Sequence, residues 1–296
     1  MSKIQDAIRK SQSSEMGRAT QRPKDKERPQ PVASVIQDVE FDGSSALGGD
    51  NILVDVDFAL LRESGLLAPS QQQRYIADQY RLIKRPLLDN VSGRGACQSP
   101  GANLIMVASP LPGDGKTFNC INLALSVATE KDRSVLLVDA DVAKPHISSL
   151  LGLENEPGLI DLLTDNNREV GELLLKTSVP GLRILPAGRH DEHATELLAS
   201  RRMASVVDVL SKTFADRVVV FDSPPLLVTS EARVLASLMG QIVLVVRSGV
   251  TPQDAVLDAI ESLDPEKSIS ILLNQSSKGL RSEGYGGYGE RSERQQ

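Results

Sequence analysis

The segment SPLPGDGKT at 109–117 concentrates residue types that could bind a phosphate chain. Gly113 and Gly115 permit a tight turn whose N–H groups face phosphate oxygens. Lys116 supplies a cation, Thr117 offers a hydroxyl to Mg2+, and a helix opening at Lys116 adds its amino-terminal dipole. With Asp114 and Phe118, residues 113–118 form the candidate nucleotide loop. The general pattern G-x-x-x-x-G-K-[ST] places glycine at position 110, where this chain has Pro110.

Two acidic signals accompany the loop. LLVDADVAKP at 136–145 brings an apolar run to Asp139 and Asp141, and VVVFDSPP at 218–225 brings another to Asp222. A carboxylate at the end of an apolar strand must be solvated, paired or metal-bound. Asp139 can hold Mg2+ or its water, or orient an attacking hydroxyl, and Asp141 can share that work. Asp222 stands where a Walker-B carboxylate organises Mg2+. Since Mg2+ keeps several waters, Thr117, phosphate oxygens and waters ordered by Asp139 and Asp222 complete a plausible shell. Lys116, Asp139, Asp141 and Asp222 are therefore the candidate catalytic residues, with ATP and Mg2+ as cofactors. These parts account for phosphoryl transfer and leave open whether water or a protein hydroxyl accepts the phosphate.

Positioning those groups requires strands that end at one rim. LIMVAS (104–109), SVLLVDAD (134–141), LRIL (182–185), DRVVVFD (216–222), QIVLVV (241–246) and SISILLN (268–274) are short apolar runs. Helical patterns lie between them, at 194–214 and 251–263 among others. Apolar strands without clean alternation, separated by helices, predict an α/β fold with a mainly parallel sheet covered on both faces. Residues 71–88 read as a helix interrupted at Pro86, and 89–102 as a Gly/Ser-containing hinge. Four parts follow: 1–70, a short helix near 1–10 and a largely flexible polar segment; 71–102, helix and hinge; 103–278, the phosphate-loop domain; and 279–296, a Gly/Tyr tail.

Composition narrows the function. The chain of 296 residues carries a formal charge of −6 and only 3% aromatics, so neither global attraction to nucleic acid nor stacking on single strands is expected. Cys97 and Cys120 form no disulfide framework, and no apolar run of about 18 residues occurs, which reads as a cytoplasmic protein reaching a membrane through a partner or a surface contact. His190, Asp191, Glu192 and His193 lack the spacing of a dedicated transition-metal site, and Cys120 reads as packing rather than nucleophile.

In combination, SPLPGDGKT, LLVDADVAKP, DSPPLLVTSEA (222–232) and the terminal Tyr/Gly segment resemble the bacterial tyrosine autokinases of exopolysaccharide export. The resemblance covers roughly 71–290 and implies a P-loop NTPase fold of the deviant-Walker type. It implies that Lys116 and Thr117 are Walker A residues, Asp139 and Asp141 the A′ acids, and Asp222 the Walker B acid. It makes Tyr285 and Tyr288 phosphoacceptors, reached in a neighbouring subunit. Asp78, Arg81 and Lys84 take the places of the family's Glu-x-x-Arg-x-x-Arg association motif, with ordinary surface solvation as the alternative. Asn274 takes the place of an adenine-contacting residue, with a strand-end cap as the alternative. The implied partners are further copies of the chain, in a ring or other homo-oligomer, and an inner-membrane polysaccharide co-polymerase that recruits and activates it. A positioning ATPase and a nucleotide-dependent non-catalytic scaffold are the competing readings.

Overall fold

The computed structural model describes residues 53–97, 101–214 and 217–276. The expected amino-terminal helix, the polar segment up to residue 52, and the tail with Tyr285 and Tyr288 lie outside the described residues.

The strands are β1 (Leu53–Val54), β2 (Leu104–Ala108), β3 (Val135–Asp139), β4 (Leu175–Thr177), β5 (Leu182–Leu185), β6 (Val218–Asp222), β7 (Gln241–Arg247) and β8 (Ser268–Asn274). They form an eight-stranded sheet in the order β1-β4-β5-β3-β6-β2-β7-β8. From β5 to β8 every pairing is parallel, while β4 runs antiparallel to β5 and carries β1 parallel to itself. The helices are α1 (Phe58–Glu63), α2 (Gln73–Val91), α3 (Lys116–Ala128), α4 (His146–Leu150), α5 (Leu159–Thr164), α6 (Ala194–Leu198), α7 (Arg201–Thr213), α8 (Ser230–Leu238) and α9 (Gln253–Glu261).

The unbroken apolar runs of the central strands divide by period two between two cores. Leu104, Met106, Val138, Val219, Phe221 and Leu244 face α5 to α9. Ile105, Val107, Leu137, Val218, Val220 and Val243 face α1 to α4. Both faces are covered, which is why polar alternation is missing from the sequence.

Three expectations need correction. Residues 53–68 belong to the folded domain: β1 pairs with β4, and Val54, Val56, Leu61 and Leu67 are buried with α2 and α3. Their signal was too short to read, since β1 is two residues long and α1 six. Helix α2 also passes through Pro86 to Val91. The missing N–H and ring clash cost ~3 kcal/mol, and burial of Tyr80, Leu87 and Leu88, at about 1.5–3 kcal/mol each, offsets it. The segment expected at 194–214 divides into α6 and α7, because extended Ser200 caps the second helix by accepting from the Met203 N–H.

The end of the presumed hinge is anchored rather than free. Asn90 Nδ2 donates to Gln241 Oε1 at 2.7 Å, and the Cys97 N–H donates to Asn90 Oδ1 at 3.1 Å. Gln241 Nε2 in turn donates to the Leu87 and Ala102 carbonyls.

Lys84 is the clearest departure from a surface role. It is 2% exposed, its Nζ donates to the Ser126 carbonyl and to Thr129 Oγ1, and it pairs with Glu130 at 2.8 Å. These groups sit at the carboxyl end of α3, where a cation is favoured by the helix dipole. Asp78 and Arg81 do remain on the surface, paired with each other. Lys84→Met should destabilise the fold by about 1–2 kcal/mol, measured by urea denaturation. An unchanged midpoint would show that the buried cation adds nothing to the fold.

Candidate functional site

Three adjacent parallel strands, β3, β6 and β2, end together at one rim. Open α/β sheets bind ligands at this carboxyl rim. Asp139 and Asp222 are register partners at the ends of β3 and β6, on strands ~4.8 Å apart. Val107 of β2 pairs with Asp222, so the chain leaving β2 enters the 109–117 loop beside that acid.

The loop is shaped by its glycines. Gly113 and Gly115 have φ of 86° and 96°. A Cβ on Gly115 would lie 2.1 Å from Asn274 Nδ2, so both backbone sign and space require glycine there. Pro110 is tolerated because no positive φ is needed at that position; its carbonyl accepts from the Leu227 N–H at 3.3 Å. Gly115 caps α3, and Lys116 and Thr117 form its first turn. A 13-residue helix thus points its amino end at the loop.

Two residues expected at the nucleotide brace the loop instead. Asp114 is 4% exposed; its Oδ2 accepts from the Leu111 N–H and its Oδ1 from Thr251 Oγ1 at 2.7 Å. Asn274 Nδ2 donates to the Asp114 carbonyl at 2.8 Å, and its Oδ1 accepts from the Gln275 N–H. Both ends of the Asn274 amide are therefore engaged with the protein. Phe118 packs partly buried against the core beside α3.

The acids differ in their surroundings. Asp141 pairs with Lys116 Nζ at 2.8 Å. Asp139 Oδ2 accepts from both the N–H and the hydroxyl of Ser148, at 2.8 and 2.7 Å, leaving buried Oδ1 without a partner. Asp222 is fully buried and neither carboxylate oxygen has a hydrogen-bond partner. Three orphaned carboxylate oxygens at adjacent strand ends, with the Thr117 hydroxyl nearby, fit a divalent cation held directly or through water.

Charge follows from this burial. Burial pushes Asp222 up to about 7; Lys116 opposes the rise, Asp139 adds to it, and the Thr117 hydroxyl, near but outside hydrogen-bond geometry, tempers it. Burial likewise pushes Asp139 up to about 6 against the two Ser148 bonds. For Lys116 burial acts downward, yet Asp222, Asp141 and Asp139 together hold the ammonium above its usual value.

The structure places Gly113, Gly115, Lys116, Thr117, Asp139, Asp141 and Asp222 around one rim. Ser148, Thr251 and Asn119 were not legible in the sequence as parts of it. Ser148 lies nine residues beyond Asp139 in the one-turn helix α4, and Thr251 reaches Asp114 across 137 residues.

This glycine loop, helix amino end and strand-end acids define a P-loop NTPase domain of the deviant-Walker type. No family model matches the chain. EpsB of Ralstonia solanacearum, named as a tyrosine-protein kinase, is 34% identical over 168 residues, which is 57% of this chain and 22% of EpsB. The chain thus spans about a fifth of that relative's length. Tyrosine-protein kinase YwqD of Bacillus subtilis is 28% identical over 229 residues, covering 77% of this chain and 92% of YwqD. The crystal structure of the VpsO kinase domain superposes with a TM-score of 0.55 at 25% identity, covering 70% of this chain and 98% of that one. Over this domain the chain is similar in sequence and fold to bacterial tyrosine-protein kinases.

The buried acids set a pH dependence. Their folded pKa values lie above the ordinary carboxylate range, so from about pH 4 to 7 the folded state holds more protons than the unfolded one. Stability from this source is complete below about pH 4 and is lost as pH rises through about 6 to 7. Without nucleotide or divalent ions, Asp222→Asn should melt above the wild type at pH 8. A gain of roughly 2 kcal/mol corresponds to about 4–8 °C and should shrink toward pH 5. Calorimetry across that range checks it, and equal melting at pH 8 would contradict a buried charge.

Proposed function

We propose that the chain is an ATP-dependent protein-tyrosine autokinase whose acceptors are Tyr285 and Tyr288 of a neighbouring copy. The observation that carries this reading is the meeting of Lys116 and Thr117 with the orphaned carboxylate oxygens of Asp139 and Asp222 at one rim. That arrangement suits phosphoryl transfer, in which positioning and electrostatic stabilisation do most of the work. The names of EpsB and YwqD as tyrosine-protein kinases support the acceptor class.

Lys116 turns from Asp141 to the phosphates, and the loop N–H groups stabilise charge on the moving phosphoryl group. Thr117, Asp222 and Asp139 would hold Mg2+, which would neutralise phosphate charge when bound. The phenol oxygen forms a bond to the γ-phosphorus as the bond to the β–γ bridging oxygen breaks, and ADP leaves. The phenolic proton passes to a carboxylate of the site.

Among the described residues no helix is long and apolar enough to cross a membrane. We assign the protein to the cytoplasmic face of the inner membrane, recruited and activated by a polysaccharide co-polymerase, where it regulates exopolysaccharide polymerisation and export. Each phosphate adds about −1.5 to −2 charge to the tail, enough to repel neighbouring tails and loosen a homo-oligomer. Asp78 and Arg81, solvent-exposed on α2, are the remaining candidates for its subunit contact.

Incubation with γ-labelled ATP and Mg2+, together with the partner's cytoplasmic segment, should place label on Tyr285 or Tyr288. Lys116→Met should abolish it, and the double Tyr→Phe variant should lose label while still binding ATP. Phosphate release without labelled tyrosine would replace the kinase reading with a hydrolytic one.

A further inference from the structure

Helix α2 grips α3 at both ends, and the two grips differ in what they touch. Lys84 holds the carboxyl end, far from the loop. Tyr80, one turn earlier on the same buried side, reaches the amino end. Its hydroxyl donates to Asn119 Oδ1 at 2.7 Å, and Asn119 Nδ2 donates to the Gly115 carbonyl at 2.9 Å. Tyr80 and Asn119 are 4% and 3% exposed, so no solvent competes for this chain of bonds. It ends on the one loop residue that has both a left-handed backbone and no room for a side chain.

We propose that Tyr80 is a positioning residue through which α2 sets the affinity of the phosphate loop for nucleotide; the inference rests on the nucleotide-binding part of the proposed function. A buried amide set between a carbonyl and a phenol has only one satisfied orientation. The Gly115 carbonyl can only accept, so Asn119 must present Nδ2 to it and Oδ1 to the phenol, which then donates. Without the hydroxyl, the buried Oδ1 has no donor and the amide is held from its Gly115 end alone. The side-chain brace on the loop's last glycine is thereby less firmly positioned, although the main-chain bond from the Asn119 N–H remains. Burial keeps the phenol protonated far above its usual range, so the donor persists at any working pH. The other side of α2 exposes Tyr75, Leu82 and the Asp78–Arg81 pair. A contact made there bears on the same helix that orients Asn119.

The test is equilibrium binding of a fluorescent ATP analogue to the full chain with Mg2+, using Tyr80→Phe, Asn119→Ala, the double variant and Lys84→Met. Tyr80→Phe and Asn119→Ala should each raise the dissociation constant about three- to tenfold, the value of one buried hydrogen bond. The double variant should bind no worse than the weaker single one, since both cut one chain. Lys84→Met should lower thermal stability yet bind within about twofold of wild type, separating loop positioning from simple packing of α2 on α3. Wild-type affinity in Tyr80→Phe, additive losses in the double variant, or an equal loss in Lys84→Met would overturn the inference. Should Tyr80→Phe fail to fold, Asn119→Ala decides, because it keeps the tyrosine and cuts the Gly115 end. Wild-type binding without tyrosine labelling would sink the kinase reading and leave this inference standing. A wild type that binds no nucleotide would overturn both.

Discussion

The structure depends on keeping carboxylates charged enough to be useful where the surroundings oppose charge. Asp139 and Asp222 sit side by side at the ends of two parallel strands, fully buried, with three of their four oxygens unpartnered. Removing an ion from water costs several kcal/mol unless it is paired or bonded, and here the compensation is incomplete. Lys116 is the nearby cation, and its direct partner is a third acid, Asp141. The protein alone therefore carries an excess of acid at this rim. That excess is a local instability tolerated for what the site can bind, a trade often found at active sites.

The scaffold makes the trade possible by being rigid around it. The central strands are buried on both faces, and the loop is braced from several directions. Thr251 and Asn274 hold Asp114 from the β7–β8 side, Asn119 holds Gly115 from α3, and Leu226 and Leu227 bond the carbonyls of Ser109 and Pro110. The consequence is a loop whose backbone shape is set before any ligand arrives, so little ordering entropy remains to oppose binding. Asp114 and Asn274, which their positions in the sequence suggested as ligand contacts, serve this bracing.

Legibility followed the range of the interactions. The loop glycines, Lys116, Thr117 and the strand-end acids were readable because each is a local pattern: turn, helix start, or apolar run ending in a carboxylate. The six strands from β2 onward, β4 apart, were visible as apolar runs, whereas β1 and β4 are two and three residues long and exist through pairing, β4 with β5 and β1 with β4. Pro86 misled because local propensity argues for a break and tertiary burial outweighs it. Lys84 misled because its charge argues for solvent, while its partners, Ser126, Thr129 and Glu130, lie over forty residues away along the chain. Ser148 and Thr251 carry no signature at all; only folding brings them to Asp139 and Asp114.

The reversed pair β1 and β4 closes one margin of the sheet, and β8 forms the other. Seven strand spacings at ~4.8 Å separate them, a span of roughly 30 Å. The described chain therefore begins with Leu53 at one margin and ends past Asn274 at the opposite one, next to the phosphate loop. The margin at which the described chain begins is thereby kept clear of the one that carries the phosphate loop.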